Sequence, residues 1–132
     1  MRRSARRSLL SEPDRRERLA WRAILDNCLL AQSFCATLSA AEFAADRKTF
    51  YAVTRCLEIV SEAARRLRGA QQADHPSIRW RQIEDSGNVF RHVYQNVAES
   101  RVWAIVHGEL NDLIAAANAV LGDEPLRDHH PK

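Results

Sequence analysis

Apolar positions recur along most of the chain with helical spacing. Trp21, Ile24, Cys28, Ala31, Cys35 and Leu38 follow one another at alternating intervals of three and four, which puts them in one stripe along a helix beginning near residue 15. Leu25 and Leu29 widen that stripe. Ser39-Ala40-Ala41-Glu42 has the form of a capping box and predicts a short second helix. Asp46 is a candidate cap for a third helix, which carries Phe50, Val53, Leu57, Val60, Ala64 and Leu67 at the same spacing, with Gly69 as its stop. Residues 70–80 read as a connection, because Pro76 holds His75 away from helical backbone. Residues 81–95 are ambiguous: a short helix interrupted at Ser86-Gly87, then another turn or two. Ser100 is a candidate cap for the last helix. Its apolar set is Val102, Ile105, Val106, Leu110, Leu113, Ile114, Ala117, Val120 and Leu121, followed by Gly122. No segment alternates as a strand does, and no repeat is present. The pattern predicts an all-α, up-and-down antiparallel bundle of about four main helices.

Composition narrows the class. The 132 residues are 45% apolar and 28% charged, as in a globular domain of ordinary size. No run approaches the ~18 apolar residues of a membrane span. Ser8-Leu9-Leu10 is too short for the apolar region of a signal peptide, and Arg15 and Arg16 follow it closely. Cys28, Cys35 and Cys56 are odd in number and lack C-x-x-C spacing. They form neither a disulfide framework nor a zinc site, and they fit a reducing cytoplasm. No metal or other cofactor is expected.

Charge is unevenly placed. Residues 1–18 hold seven Arg against Glu12, Asp14 and Glu17, a net of +4, while the rest carries 13 basic and 14 acidic residues. The expected organisation is a basic arm at 1–14, a helical domain at 15–122 and a polar tail at 123–132. The arm is either a solvated extension or a contact for nucleic-acid phosphates. The nearly neutral body argues against a broad basic binding surface.

Two places carry candidate chemistry. The third helix has a second, charged stripe of Arg55, Glu58, Glu62 and Arg65 or Arg66. It reads as a solvated, salt-bridged face or as a polar seam beside a site or subunit interface. The other place is Trp80 to Tyr94, where Asn88, Arg91, His92 and Tyr94 fall within seven residues. Asn88 and His92, four apart, share a face if the segment is helical. An imidazole can move protons at neutral pH, and a guanidinium can hold a phosphodiester. Those are the requirements of metal-independent RNA cleavage; the competing reading is a structural histidine. His75 reads as structural, His107 as a surface residue, and His129 and His130 as tail.

Two blocks resemble the HepT-like branch of the HEPN superfamily. Arg55-Cys56-Leu57-Glu58-Ile59-Val60-Ser61-Glu62-Ala63 is similar to the family's R-x-L-E-I-I-G-E-A helix, with Ser61 in place of Gly. His75-Pro76-x-Ile78-x-Trp80, Asn88-x-x-x-His92-x-Tyr94 and Val102-Trp103 match further family elements in order. The likeness spans roughly residues 16–121. It implies a homodimeric helical bundle and an RNase toxin neutralised by a minimal nucleotidyltransferase antitoxin that transfers AMP to a tyrosine. By the likeness His92 is the catalytic histidine, Asn88 its motif partner, Tyr94 the AMP acceptor, and Arg55, Glu58 and Glu62 line the cleft. The family's Arg just before the Asn is replaced by Gly87, and losing such a phosphate-holding group is worth ~2–4 kcal/mol of transition-state stabilisation. Arg91 is the nearest substitute. The alternative is a catalytically inactive HEPN subunit that binds a nucleotidyltransferase partner and a nucleotide.

Overall fold

In the computed structural model, residues 14–88 and 95–122 are described, and among them every regular element is helical. Helix α1 spans Arg15–Cys35, α2 Ala40–Ala45, α3 Arg47–Arg65, α4 Ala70–Ala73 and α5 Trp80–Asp85. A 3-10 turn at Ser86–Asn88 follows, then α6 at Gln95–His107 and α7 at Glu109–Leu121. The result is an all-α helical bundle, as the periodicity predicts.

The helix starts are set by side-chain caps. The Asp14 carboxylate accepts from the Glu17 N–H at 2.8 Å and opens α1. The expected capping box opens α2: the Glu42 N–H donates to Ser39 Oγ (3.1 Å) and the Ser39 N–H to the Glu42 carboxylate (2.8 Å). Asp46 opens α3 by accepting from the Thr49 N–H at 3.1 Å and the Thr49 hydroxyl at 2.7 Å. Those two bonds hold the Asp46 carboxyl below the usual range.

The core centres on α1, which packs against both α3 and α7. Trp21, Ile24, Cys28, Ala31 and Cys35 of α1 are buried, as are Phe50, Val53, Leu57, Val60 and Ala64 of α3. Leu38 and Leu67 close the ends of these stripes, the first partly and the second fully buried. All three thiols are buried and free, and burial raises each above the usual range, Cys28 to about 12. Leu29 departs from expectation. It is 47% exposed although it lies one turn from the buried Leu25 on the same edge of the stripe, because the neighbours of α1 cover that edge at Leu25 and not at Leu29.

The second half departs more. The connection at 70–80 contains the short helix α4, entered through Gly69 at φ 93°, a backbone region that glycine tolerates and other residues avoid. The expected last helix is two helices. It begins at Gln95 rather than at a Ser100 cap, and it breaks at Gly108 between α6 and α7. The side chain of Gln32 on α1 stitches this break, donating to the Val106 carbonyl (3.2 Å) and to Asn111 Oδ1 (2.9 Å).

Candidate active site on the polar face of α3

Opposite its apolar stripe, α3 carries Arg47, Tyr51, Arg55, Glu58, Glu62 and Arg65 at spacings of 4, 4, 3, 4 and 3. One side of a helix therefore presents all six. Arg55 Nη1 lies 3.1 Å from the Glu58 carboxylate, and Arg65 Nη1 lies 3.8 Å from that of Glu62. These are exposed i,i+3 pairs, worth a few tenths of a kcal/mol each by the usual ~0.2–1 kcal/mol scale. Of the two arginines the sequence left open, Arg65 belongs to this face, while Arg66 is exposed beyond the helix end.

The segment after α4 docks on this face by polar bonds. The Glu84 carbonyl accepts from Ser61 Oγ (2.5 Å) and from Arg65 Nη2 (2.8 Å). Its carboxylate accepts from the Arg68 guanidinium and from Gln72 Nε2 (2.8 Å), and Gln72 also donates to the Ala64 carbonyl (3.0 Å). The Glu84 side chain is only 12% exposed, and the Arg68 hydrogen bond holds its carboxyl below the ordinary range. Trp80 Nε1 donates to the carbonyls of Gln72 and His75, each at 3.1 Å, which ties α5 back to α4. His75 serves that structure and packs edge-on to Trp21, with ring centroids 5.2 Å apart.

Beyond α5 the chain touches α3 directly. A Cβ placed on Gly87 would lie 3.1 Å from both Cβ and Oγ of Ser61 and 3.3 Å from the Glu58 Cα. Such distances leave no room for a side chain unless a neighbour moves. The two departures from the family pattern are therefore in contact: Ser61 stands where the pattern has Gly, and Gly87 stands where it has Arg. Asn88, half-buried, ends the 3-10 turn next to Gly87. The fold thus brings the Asn88 turn against the Glu58–Ser61 part of the α3 face. Arg91, His92 and Tyr94 lie outside the described residues.

The periodicity of the charged stripe left out its N-terminal extension. Arg47 sits over the Tyr51 ring at 5.1 Å, donates to the Tyr51 hydroxyl (2.8 Å) and approaches the carboxylate of Glu99 on α6 (3.7 Å). Continuing the i,i+4 spacing one turn toward the N-terminus from Arg55 finds Tyr51, and one more finds Arg47. Glu99, buried at 7% exposure, carries no comparable signal. His107 is exposed, and its Nδ1 lies 2.9 Å from the Trp103 carbonyl. Among the described residues no group of three or more His, Cys, Asp or Glu could hold a metal ion. No helix there is long and apolar enough to cross a membrane.

These features define a small helical bundle with a polar seam on one helix and a turn docked against it. The family model described as "Ribonuclease HepT-like" matches residues 24–120, and the chain belongs to that family. It is similar to the "Probable ribonuclease HepT" of Thermococcus cleftensis, with 30% identity over 84 residues, 64% of this chain and 76% of that protein. No solved structure matches.

Proposed function

We propose that the chain is a metal-independent endoribonuclease and the toxin of a toxin–antitoxin pair, acting in the cytoplasm as a homodimer. The observation that carries the reading is the family match over 24–120, together with the place of the Asn88 turn on the polar face of α3. In this reading His92 takes the proton from an RNA 2′-hydroxyl. The 2′-oxygen attacks the adjacent phosphorus, the bond to the 5′-oxygen breaks to leave a 2′,3′-cyclic phosphate, and the protonated His92 returns its proton to the departing 5′-oxygen. Arg91 holds the phosphate through the planar fork that a guanidinium offers, Asn88 orients the cleft, and Arg55, Glu58 and Glu62 line it. A minimal nucleotidyltransferase acts as antitoxin. It transfers AMP from ATP to the Tyr94 hydroxyl with release of pyrophosphate, and the added phosphate repels and blocks RNA.

The second reading is a catalytically inactive subunit that binds the nucleotidyltransferase and a nucleotide. The replacement of the motif arginine by Gly87 favours it, and a side chain there would need Ser61 or Glu58 to give way by a few tenths of an ångström. Cleavage of a short single-stranded RNA decides between the two, with protein purified free of partner and of AMP. Under the first reading the wild type cleaves with or without EDTA, and His92→Ala slows cleavage ~10²–10⁴-fold, the usual worth of general acid–base catalysis. Arg91→Ala costs a comparable factor, and Arg91→Lys rescues little. A wild type that neither cleaves nor arrests growth selects the second reading. Incubation with ATP and the nucleotidyltransferase, read by intact mass, tests Tyr94: an AMP adduct that survives Tyr94→Phe rejects the assignment.

A further inference from the structure

The end of α5 is capped in part by its own Ser86 and in part by side chains of another helix. The last carbonyls of a helix lack intrahelical partners and need donors from elsewhere. At α5 the Ile83 carbonyl receives the Ser86 hydroxyl at 2.6 Å. The next carbonyl, that of Glu84, receives two side chains of α3, Ser61 Oγ and Arg65 Nη2. A cation at a helix C-terminus is also favoured by the helix dipole. Three residues further on, Gly87 presses against Ser61 and Glu58. Three consecutive features of α3 (Glu58, Ser61 and Arg65) thus fix one short stretch of backbone, and that stretch ends in Asn88.

We propose that Ser61 and Arg65 form a latch on the Glu84 carbonyl that sets the place of the Gly87–Asn88 turn, which makes Arg65 a positioning residue for RNA cleavage. The catalytic part of this inference rests on the ribonuclease reading; the latch itself does not. Ser61 is 1% exposed and reaches the carbonyl from beneath. The Arg65 side chain is 37% exposed and reaches it from the rim, so Arg65 can be changed without opening the core. Arg65 acts through a main-chain carbonyl, for which a single N–H donor suffices. Lysine therefore replaces it here, although lysine does not replace an arginine that grips a phosphate with two donors.

The test uses the full chain with Arg65→Ala and Arg65→Lys, read by hydrogen exchange at the amides of residues 84–88 and by kcat and KM on single-stranded RNA. Arg65→Ala is expected to raise exchange at 84–88 about tenfold, the scale of one charge-assisted hydrogen bond, with α1 and α7 unchanged. It is expected to lower kcat by a similar factor with KM held within about twofold, the signature of misplaced chemistry rather than lost binding. Arg65→Lys restores both. Unchanged exchange at 84–88 in Arg65→Ala overturns the latch. Raised exchange with unaltered kcat, or a kcat that Lys fails to restore, overturns the positioning role. If the wild type cleaves no faster than His92→Ala, the ribonuclease reading falls and the positioning role with it, while the exchange data alone support or overturn the latch.

Discussion

The two sides of α3 hold their neighbours by different means. On one side Phe50, Val53, Leu57, Val60 and Ala64 pack into the apolar stripe of α1. On the other, Ser61 and Arg65 bind the Glu84 carbonyl, and past the end of the helix Arg68 and, on α4, Gln72 bind the Glu84 carboxylate. The apolar side is non-directional and gains stability in proportion to buried area. The polar side contributes little net stability per bond, because each bond replaces one to water. What the polar side supplies is direction: it fixes a particular carbonyl, and with it the position of a particular turn.

The largest effect should come from the apolar side. Leu57 is fully buried, so Leu57→Ala is expected to cost about 2–5 kcal/mol in denaturant unfolding. Arg55→Ala, on the opposite face of the same helix, should change stability by under about 0.5 kcal/mol. Similar losses for the two would erase the distinction between the faces.

Gly87→Arg probes the closest contact on the polar side. The added Cβ meets Ser61 and Glu58, and the expected cost is about 1–3 kcal/mol, as for other overpacked sites. Ser61→Gly in the same chain should recover part of it. An equal cost with and without Ser61 would show that the contact does not set the choice of glycine.

Ser61→Ala is smaller. It removes one of two donors to the Glu84 carbonyl and leaves Arg65 in place, so about 1 kcal/mol is expected from thermal or denaturant unfolding. The double change with Arg65→Ala should cost more than the two single changes together, since only then is the carbonyl left without a side-chain donor. Strict additivity would mean that the two do not share it.

The smallest effect is one of pH. Arg68 and Gln72 hold the Glu84 carboxyl below its ordinary value. Its contribution is therefore present above the unfolded value of about 4.3 and is lost as pH falls through the lower folded one. Asp46 titrates with the same sign, so the informative quantity is the difference between wild type and Glu84→Gln. Melting temperatures from pH 6 down to about pH 3 should fall less steeply in the variant. Parallel curves would remove Glu84 from the acid response.

Much of the bundle was legible without coordinates. The stripes on α1 and α3 and the caps at Ser39 and Asp46 rest on residues three or four apart, and helix geometry alone relates such residues. The same locality explains the errors. Leu29 fits the local pattern as well as Leu25 does, and only the packing of α1 against its neighbours leaves the first 47% exposed and the second 7%. Ser100 looks like a cap, yet α6 begins five residues earlier at Gln95. The break at Gly108 is bridged by Gln32, 74 residues from Val106 in sequence.

By itself the sequence determined the all-α class, the helix faces and, through ordered motifs, the family to which the chain belongs. Only the tertiary structure decided that Arg65 rather than Arg66 joins the polar face, that Arg47 and Tyr51 extend it, and that Ser61 meets Gly87. The physical reason is distance along the chain. Periodicity relates residues within one turn of helix, whereas Ser61 and the Glu84 carbonyl are 23 residues apart. No local spacing encodes that meeting; it exists once α5 has packed against α3.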